Sequence, residues 1–253
     1  MTTAIAPQVL VRGPGLTPRA LSRGPLLWVV RAPAPDTPLD LCLLDAEERR
    51  RAAALRRPAE RALYVAAHSA LRRVLSAYTG LPAAAIRLTR LACPGCGGPH
   101  GRPAVAGPAG DRVHYSLSHT GGLALLGLAS RPVGVDVERV PEPTLAEEAG
   151  RSLHPCERQQ LTGTPPAVRA AAFARCWSRK EAYLKATGEG VSLDALRDVY
   201  AGAGFAPAQP AGWRVADVEV PVGWAAACVV SVPGAPRVRR PVPCASRGNH
   251  DRR

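Results

Sequence analysis

The side chains most suggestive of chemistry are carboxylates in residues 133–138, where valine alternates with glycine, aspartate and glutamate. This period of two predicts a β-strand with distinct faces, which puts Asp136 and Glu138 on one side. Their Cα atoms would lie about 6.8 Å apart, so both carboxylates can reach one cation. Oxygen ligands of this kind suit Mg²⁺ or Mn²⁺. An amphipathic strand with a hydrated polar face explains the same pattern without a metal.

A second chemical segment follows about forty residues later, in residues 173–185 (FARCWSRKEAYLK). It predicts a helix in which Glu181 and Lys185 lie one turn apart beside an apolar stripe. A half-buried carboxylate needs a partner. That partner is either Lys185 alone or a metal shared with Asp136 and Glu138.

The two lysines of the chain, Lys180 and Lys185, both lie in this segment, whereas the other basic residues are arginine. An ammonium is a compact point charge and a guanidinium is a planar fork, so a site built for one does not accept the other. The clustering therefore marks this helix as a candidate site.

The overall charge of +13 favours a polyanionic partner, such as nucleic acid, a phosphorylated small molecule or an acidic protein. Arginine accumulation in a compositionally biased genome explains the charge equally well. A hydrophobic content of 46% excludes a disordered composition. No apolar run approaches the roughly 18–20 residues of a membrane helix, and no secretory signal is evident. Seven irregularly spaced cysteines favour a reducing, cytoplasmic compartment.

Helices and short strands in mixed order predict an α+β fold around these residues. Asp45 with Glu48 forms a capping-box pattern before the first helix. We expect strands at 26–31, 113–118, 123–129, 133–140, 213–220 and 224–232, and helices at 46–57, 59–78, 144–160 and 167–187. Residues 92–112 are expected to form a loop rich in glycine and proline.

The chain divides near residues 130–132. We expect a loose lead-in at 1–25, a first subdomain at 26–131, a second subdomain carrying the metal site at 132–232, and a flexible basic tail at 233–253.

Within the expected loop, Cys93, Cys96 and His100 offer three zinc ligands in eight residues. Structural zinc sites have four ligands, and no clear second pair is visible. The segment is therefore either a zinc site or a loop with two free thiols.

The strand at 133–138 and the helix at 177–185 together resemble the signature of the phosphopantetheinyl transferases, in order and spacing those of the monomeric, surfactin-synthetase-type branch. Ser118-His119, before a glycine-rich turn, resembles the Ser-His motif of this family. Gly101-Arg102-Pro103 resembles its Gly-Lys-Pro motif, with arginine in place of lysine. The resemblance covers about residues 26–232.

This resemblance implies a pseudo-dimer of two similar α/β subdomains with coenzyme A in the cleft between them. It also implies Mg²⁺-dependent transfer of the 4′-phosphopantetheine arm of coenzyme A to a serine of an apo carrier protein, releasing adenosine 3′,5′-bisphosphate. The implied partners are acidic carrier proteins or carrier domains of fatty-acid, polyketide or nonribosomal-peptide synthases.

The resemblance further assigns roles to individual residues. Asp136, Glu138 and Glu181 resemble the metal ligands, and Lys180 and Lys185 match two catalytic motif lysines, with Lys185 at the phosphate under attack. Either Glu181 or a metal-bound water would accept the proton of the carrier serine. The coenzyme A contacts implied are Ser118 and His119 at phosphates, Gly101, Arg102 and Pro103 beside adenine, and Arg51, Arg57 or Arg61 at the 3′-phosphate.

Two other functions fit parts of the sequence. A metal-dependent nuclease or phosphohydrolase would also combine acidic residues with a lysine on a basic protein. A zinc-containing nucleic-acid-binding protein would use Cys93, Cys96 and the arginines. Neither explains the whole pattern, because no base-stacking platform is visible and anion binding needs no carboxylate triad. We therefore expect neither nucleic acid nor a membrane as partner, and we expect a monomer.

Overall fold

The computed structural model describes residues 4–9, 18–34, 36–190 and 192–234. The described helices are α1 (Ala46–Ala54), α2 (Pro58–Thr79), α3 (Pro143–Gly150), α4 (Pro155–Thr162), α5 (Pro166–Thr187) and α6 (Leu193–Asp198). The described strands are β1 (Gln8–Val9), β2 (Leu26–Arg31), β3 (Leu88–Arg90), β4 (Pro103–Val105), β5 (His114–Thr120), β6 (Leu123–Ala129), β7 (Val133–Arg139), β8 (Trp213–Asp217) and β9 (Trp224–Ser231). This mixed architecture confirms the predicted α+β class.

A sheet in the order β1-β2-β6-β5 forms the core of the first half. β6 lies antiparallel between β2 and β5, which places Trp28 opposite Leu126 and Ser118 opposite Leu125. The long helix α2 covers one face of this sheet, where Leu71 and Val74 pack against Trp28 and Leu126. The amphipathic spacing that predicted α2 thus supplies the apolar stripe buried on the sheet.

The second half contains a sheet in the order β7-β9-β8, covered by the equally long helix α5. β9 runs antiparallel to both neighbours, with Asp136 opposite Ala227. Ala182 and Tyr183 of α5 pack on Ala227 and Val229 of β9.

The other faces of the two sheets pack against each other to form the central core. Val133, Val135 and Val137 of β7 contact a cluster that includes Leu27 and Leu125 of the first sheet. The strand β7 is therefore buried on both sides, between the first sheet and α5. Its valines face the first sheet, and the alternating glycine, aspartate and glutamate face α5.

Gly134 allows α5 to approach β7 closely. A Cβ built at this position would lie 2.0 Å from the carbonyl oxygen of Ala182 and 2.4 Å from the backbone nitrogen of Ala186. Any larger residue would push the helix away from the strand. This close approach places Glu181 and Lys185 of the helix over Asp136 of the strand.

The ends of α1, α2 and α5 follow common capping rules. Asp45 and Glu48 form the predicted capping box at the start of α1. Pro58 and Pro166 stand at the start of α2 and α5, where the missing N–H costs nothing. Both helices are followed by a glycine in the left-handed conformation, Gly80 and Gly188.

Several elements differ from the sequence expectations. The helix expected at 144–160 is divided into α3 and α4, because His154 precedes a proline and caps α4 instead of continuing α3. β4 lies within the segment expected as a loop. Within the expected lead-in, β1 pairs with β2, and Ile5 forms two backbone hydrogen bonds with Asp217 and Glu219 beside β8. Residues 235–253, most of the expected basic tail, lie outside the described residues.

Among the helices of the described residues, none combines the length and apolar composition required to cross a bilayer.

Candidate active site

Three carboxylates converge where β7 meets α5. One oxygen each of Asp136, Glu138 and Glu181 lies within 4.8 Å of the others. The two strand residues come from the same face of β7, as the alternation predicts, and α5 supplies the third. The sequence therefore predicted the members of this cluster, and the Gly134 contact brings the helix to them.

Asp136 is the buried centre of the cluster, with no exposed surface. Its Oδ1 accepts hydrogen bonds from Lys185 Nζ at 2.6 Å and from Ser118 Oγ at 2.8 Å. Its Oδ2 is buried and has no hydrogen-bond partner among the described residues. Burial raises the pKa of Asp136 despite the neighbouring Lys185 ammonium. A hydrated polar face is thus the wrong interpretation of this strand position.

Glu181 and Lys185 lie one helical turn apart, as predicted. Trp177 Nε1 donates a hydrogen bond of 3.0 Å to Glu181 Oε1, and Lys185 Nζ lies 3.6 Å from Glu181 Oε2. Burial, followed by the charge of Asp136, raises the pKa of Glu181. The intrahelical ion pair and the carboxylate cluster are therefore not alternatives, because Glu181 participates in both.

Glu138 lies at the more open side of the cluster. Burial and the negative charges of Asp136 and Glu181 raise its pKa to about 7. Lys185 is the nearest compensating cation, but its ammonium is already shared by Asp136 and Glu181. Three mutually repelling carboxylates therefore face one lysine.

This donor set fits a divalent cation. Mg²⁺ and Mn²⁺ prefer carboxylate oxygens, and the unpaired Oδ2 of Asp136 supplies one directed lone pair in a buried position. A cation would also offset the burial that raises the pKa of all three carboxylates and the repulsion that adds to it at Glu138 and Glu181. We infer that these three residues can hold a metal.

Ser118 and His119 lie at the end of β5, beside the carboxylate cluster. Ser118 Oγ accepts a hydrogen bond from Lys185 Nζ at 3.0 Å while donating to Asp136. The His119 ring packs edge-on against Tyr64, with centroids 6.2 Å apart. Desolvation, with the positive charges of His68 and Lys185, lowers the pKa of His119. The Ser-His pair therefore joins the first half of the chain to the acidic cluster of the second.

A cavity of about 180 Å³ extends from Lys185 between the two halves of the chain. The first half contributes Gly101, Arg102 and Pro103 to its wall, and the second contributes Gly188 and Lys185. Gly188 lies so close to Arg102 that an added Cβ would be 2.8 Å from the arginine Cγ. The predicted adenine-contact motif and the predicted phosphate lysine thus line one cavity.

Lys180 lies apart from the carboxylate cluster. Its side chain is fully buried, and Nζ donates to Glu157 Oε2 of α4 and to the carbonyl oxygen of Val199. Glu157 Oε1 accepts two further hydrogen bonds, from the backbone nitrogens of Ala201 and Gly202. The catalytic role expected for Lys180 is inconsistent with this position, because a fully buried ammonium with two partners cannot contact a phosphate. We assign it a structural role.

The candidate 3′-phosphate arginines lie at the start of the helical region of the first half. Arg51 and Arg57 are exposed, and each pairs at 3.0 Å with a glutamate of its own helix, Glu47 or Glu60. Arg61 Nη2 donates to the carbonyl oxygen of Leu55 at 2.9 Å. Arg51 is near enough to affect the pKa of Tyr64, which contacts His119. The choice among the three stays a prediction.

Sequence reasoning missed several residues that shape the site. Gly134 has a readable signal, since a glycine inside a strand often marks close backbone approach. Glu157, which pairs with Lys180, also has a signal, because it stands three residues after the helix cap His154. Ser116 has none: its Oγ accepts a 3.0 Å hydrogen bond from the backbone nitrogen of Val135, a contact between distant strands.

Comparison with known proteins agrees with this geometry. A model of the 4′-phosphopantetheinyl transferase superfamily matches residues 132–202, the segment that contains all three carboxylates and both lysines. The 4′-phosphopantetheinyl transferase HetI of Nostoc sp. is 31% identical over 192 residues, which cover 72% of this chain and 76% of the Nostoc protein.

Two further relatives match over shorter lengths. A Synechocystis protein named after the same activity is 29% identical over 170 residues, 66% of each chain. The 4′-phosphopantetheinyl transferase Sfp of Bacillus subtilis is 30% identical over 94 residues, 37% of this chain and 41% of Sfp. The matched regions thus span from about two fifths to about three quarters of these relatives. With the extended match to HetI and the match across the acidic site, the chain belongs to the 4′-phosphopantetheinyl transferase superfamily, a family of transferases.

Proposed function

We propose that this enzyme transfers the 4′-phosphopantetheine arm of coenzyme A to a serine of an apo carrier protein. The products are the holo carrier protein and adenosine 3′,5′-bisphosphate. The observation that supports this most strongly is the position of Lys185, which contacts the carboxylate cluster and also lines the cavity containing Gly101, Arg102 and Pro103. A pyrophosphate in this cavity would lie against both the lysine and the metal-binding residues.

Asp136, Glu138 and Glu181 would hold Mg²⁺, with Mn²⁺ as a second possibility. When bound, the ion supplies positive charge to the pyrophosphate oxygens of coenzyme A. The buried, unpaired oxygen of Asp136 and the mutual repulsion of the carboxylates support this assignment.

The remaining steps belong to side chains of the chain itself. The carrier serine oxygen attacks the phosphorus that bears the pantetheine arm, and the bond from that phosphorus to the oxygen of the departing adenosine 3′,5′-bisphosphate breaks. Lys185 would donate to the phosphate oxygens, where negative charge grows in the transition state. Glu181, oriented by Trp177, would accept the proton of the carrier serine.

We also propose that the two halves form a pseudo-dimer with coenzyme A in the cleft between them. The support is topological: β6 lies between β2 and β5 in the first half, as β9 lies between β7 and β8 in the second. A helix of 22 residues covers each sheet. The cavity beside Lys185 takes its wall from both halves.

Coenzyme A would then contact residues of both halves. Gly101, Arg102 and Pro103 would lie beside adenine, while Ser118 and His119 would lie at the phosphates. Arg51, Arg57 or Arg61 would bind the 3′-phosphate, since all three belong to the helical region whose Tyr64 touches His119. The positive charge of the chain suits both coenzyme A and an acidic carrier.

The carrier class, whether from fatty-acid, polyketide or nonribosomal-peptide synthases, stays a prediction, as do the monomeric state and the cytoplasmic location. The nuclease or phosphohydrolase alternative and the nucleic-acid-binding alternative are not favoured by the family match.

Mass spectrometry of apo carriers tests the proposed reaction. The purified chain is incubated with coenzyme A, Mg²⁺ and carriers of the three classes. We expect at least one carrier to gain the mass of one phosphopantetheine arm, and adenosine 3′,5′-bisphosphate to appear in equal amount. Asp136→Ala should abolish the gain while keeping a cooperative unfolding transition. No gain on any carrier, or full turnover in the Asp136→Ala variant, would contradict the proposal.

A further inference from the structure

The loop between β3 and β4 brings Cys93, Cys96 and His100 together outside the carboxylate cluster. One ligand atom of each lies within 4.8 Å of the other two. We propose that these side chains bind one Zn²⁺, with Glu189 of the opposite half as the fourth ligand. The metal would fix the wall of the cavity that contains Gly101, Arg102 and Pro103.

The backbone of this loop is folded so that the ligands face each other. The Cys93 nitrogen donates to the carbonyl oxygen of Gly98, and the Gly97 nitrogen donates to the carbonyl oxygen of Cys93, both at 2.8 Å. The two bonds close a tight turn around the cysteine pair. Cys96 Sγ lies 2.9 Å from His100 Nε2 and accepts a 3.4 Å hydrogen bond from the Gly98 nitrogen.

The chemistry of the donor set suits zinc better than magnesium. Two thiolates and an imidazole are soft or borderline ligands, and two residues between the cysteines is a common zinc spacing. Backbone N–H groups of Cys96 and Gly95 directed at the Cys93 sulphur lower the pKa of its thiol. A thiolate is the form that binds a metal. The oxygen-only cluster of Asp136, Glu138 and Glu181 would instead select a hard cation.

The fourth ligand is the element that the sequence alone did not provide. Cys93 is buried, and its Sγ lies 3.9 Å from the carbonyl oxygen of Glu189. The negative charge of Glu189 also acts on the Cys93 thiol. Glu189 follows the end of α5, so it approaches the loop from the second half of the chain. The Glu189 carboxylate lies outside the 4.8 Å cluster of the other three ligands, and it would turn toward the loop to complete four-coordinate zinc.

Zinc in this position would act on the cavity through short covalent connections. His100 directly precedes Gly101, and the Gly101 nitrogen and the Arg102 carbonyl oxygen both form hydrogen bonds with Leu91. Arg102 packs against Gly188, next to Glu189. A metal bound by residues on both sides would hold these segments together. This second part of the inference rests on the proposed function, whereas zinc binding itself does not.

Elemental analysis of the full chain tests the metal site without reference to activity. After purification without chelators and equilibration with zinc, we expect about one zinc per chain. Cys93→Ser and Cys96→Ser should each reduce the zinc content at least about tenfold. Cys42→Ser is the matched control, because Cys42 is an exposed thiol hydrogen-bonded to Asp40 and has no part in the site. It should keep the full zinc content.

Replacement of zinc by Co²⁺ gives an independent spectroscopic measurement. The wild-type chain and Cys42→Ser should show the intense near-ultraviolet absorption of thiolate bound to tetrahedral cobalt, and Cys93→Ser should lose part of it. Glu189→Gln should weaken cobalt affinity by about 10–100-fold. A zinc content well below one per chain, a zinc content unchanged in Cys93→Ser, or an intramolecular disulfide in place of the metal would overturn the site.

Kinetics then tests the structural consequence separately. Cys96→Ser should raise the KM for coenzyme A by about 10-fold with little change in kcat, because the cavity wall loosens while the carboxylates stay in place. An unchanged KM in a zinc-free variant would overturn the proposed effect on the cavity. Zinc bound to a chain that modifies no carrier would instead contradict the proposed function and leave the metal site established.

Discussion

The two halves of this chain share a scaffold but not a chemistry. In each half, a strand leads through short helical segments to a 22-residue helix that begins with proline and is followed by a left-handed glycine. The number of residues that separates Pro58 from Pro166 also separates Gly80 from Gly188, and this constant shift relates the two halves. Each helix covers a sheet in which three strands have corresponding places, β2-β6-β5 and β7-β9-β8, and β1 adds a fourth strand to the first sheet.

The likeness extends to a fully buried cation. Arg72 of α2 donates to Glu48 and to the carbonyl oxygens of Ala83 and Ile86. The same shift relates Arg72 to Lys180, which donates to Glu157 and to the carbonyl oxygen of Val199.

The two glutamates correspond as well. Each is the third residue of the preceding helix, and its side chain also accepts from the cap backbone, that of Asp45 for Glu48 and that of His154 for Glu157. In each half, therefore, one glutamate joins a helix start to the middle of the long helix.

The halves differ at the helix-facing positions of the sheet. Where β2 presents Trp28 and Val30 to α2, β7 presents Asp136 and Glu138 to α5. Where α2 has Arg73 and Ala77, α5 has Glu181 and Lys185, by the same shift. A few side chains of the second half therefore create the candidate site, while the corresponding strand positions of the first half belong to an apolar core.

The largest effect we expect concerns the pair of a glutamate and a buried cation that both halves contain. Glu157→Ala would leave the Lys180 ammonium buried with only a backbone carbonyl, and it would also remove the acceptor of two backbone N–H groups. The expected loss is about 3–5 kcal/mol in the free energy of unfolding, measured by urea denaturation. Glu157→Gln, which keeps the side-chain volume, provides a milder variant should the alanine variant fail to fold.

Glu48→Ala is the matched change in the first half. We expect a smaller loss than for Glu157→Ala, because Arg72 would keep its 2.6 Å ion pair with Asp45 and two backbone carbonyls. Losses below about 1 kcal/mol for both variants would mean that the buried cations do not stabilise the two halves as described.

The next effect concerns the rate of carrier modification, which we expect to depend on Glu181 of α5 but not on the corresponding position of α2. Glu181→Gln should lower kcat/KM for carrier modification by about 10²–10³-fold, because it removes a metal ligand and the proposed proton acceptor. Arg73→Gln alters the corresponding position of α2, where the side chain contacts Asp40 at 3.3 Å. It should leave the rate within about twofold. Similar losses in both variants would show that the two positions are not functionally distinct.

Local signals in the sequence predicted most of the fold. Alternation identified β7, helical spacing identified α2 and α5, and the capping box at Asp45 placed the start of α1. The short strands β1, β3 and β4 were not predicted, because two or three residues carry no measurable period and their pairing partners are distant. The correspondence between the two halves was also invisible in the sequence, since most of the equivalent positions, such as Trp28 and Asp136, are occupied by different residues.

The sequence predicted only part of the site, again because contacts between distant segments are not visible in it. The residue types and spacing of Asp136, Glu138, Glu181 and Lys185 suffice to place them on one face of a strand and one margin of a helix. The catalytic role of Lys180 was inferred from its match to the family motif, and neither a motif nor a helical projection shows which neighbour a side chain meets. The neighbour of Lys180 is Glu157, a contact between two helices that only the tertiary structure defines.

A smaller effect concerns the need for an ammonium, and not a guanidinium, at position 185. Lys185→Arg keeps the charge, but a planar guanidinium cannot place a compact charge where the ammonium lies, 2.6 Å from Asp136 Oδ1 and 3.0 Å from Ser118 Oγ. We expect kcat to fall by about 10²-fold, since a small displacement at the reacting centre has such an effect. Lys185→Gln, which removes the charge, should be at least as impaired. Near-normal turnover in Lys185→Arg would mean that charge alone is required.

The smallest effect follows from the raised pKa values of the carboxylates. In the metal-free chain, Glu138 has a pKa of about 7, and those of Asp136 and Glu181 are also raised. The folded state therefore binds more protons than the unfolded state between about pH 4.5 and 7, and the free energy of unfolding decreases as the pH rises through this window. Mg²⁺ competes with these protons. Its stabilising effect should consequently be small at pH 5 and larger at pH 8.

Thermal unfolding with and without Mg²⁺ across this pH range measures the competition. Each kcal/mol of binding free energy should raise Tm by about 2–4 °C for a chain of this size. Glu138→Gln should reduce the pH dependence, because it removes the carboxyl group with a pKa of about 7. The corresponding change in the first half, Val30→Ala, should lower Tm through lost packing but leave the Mg²⁺ increment and its pH dependence unchanged. A pH-independent increment in the wild-type chain would mean that the cation binds elsewhere than among the three carboxylates.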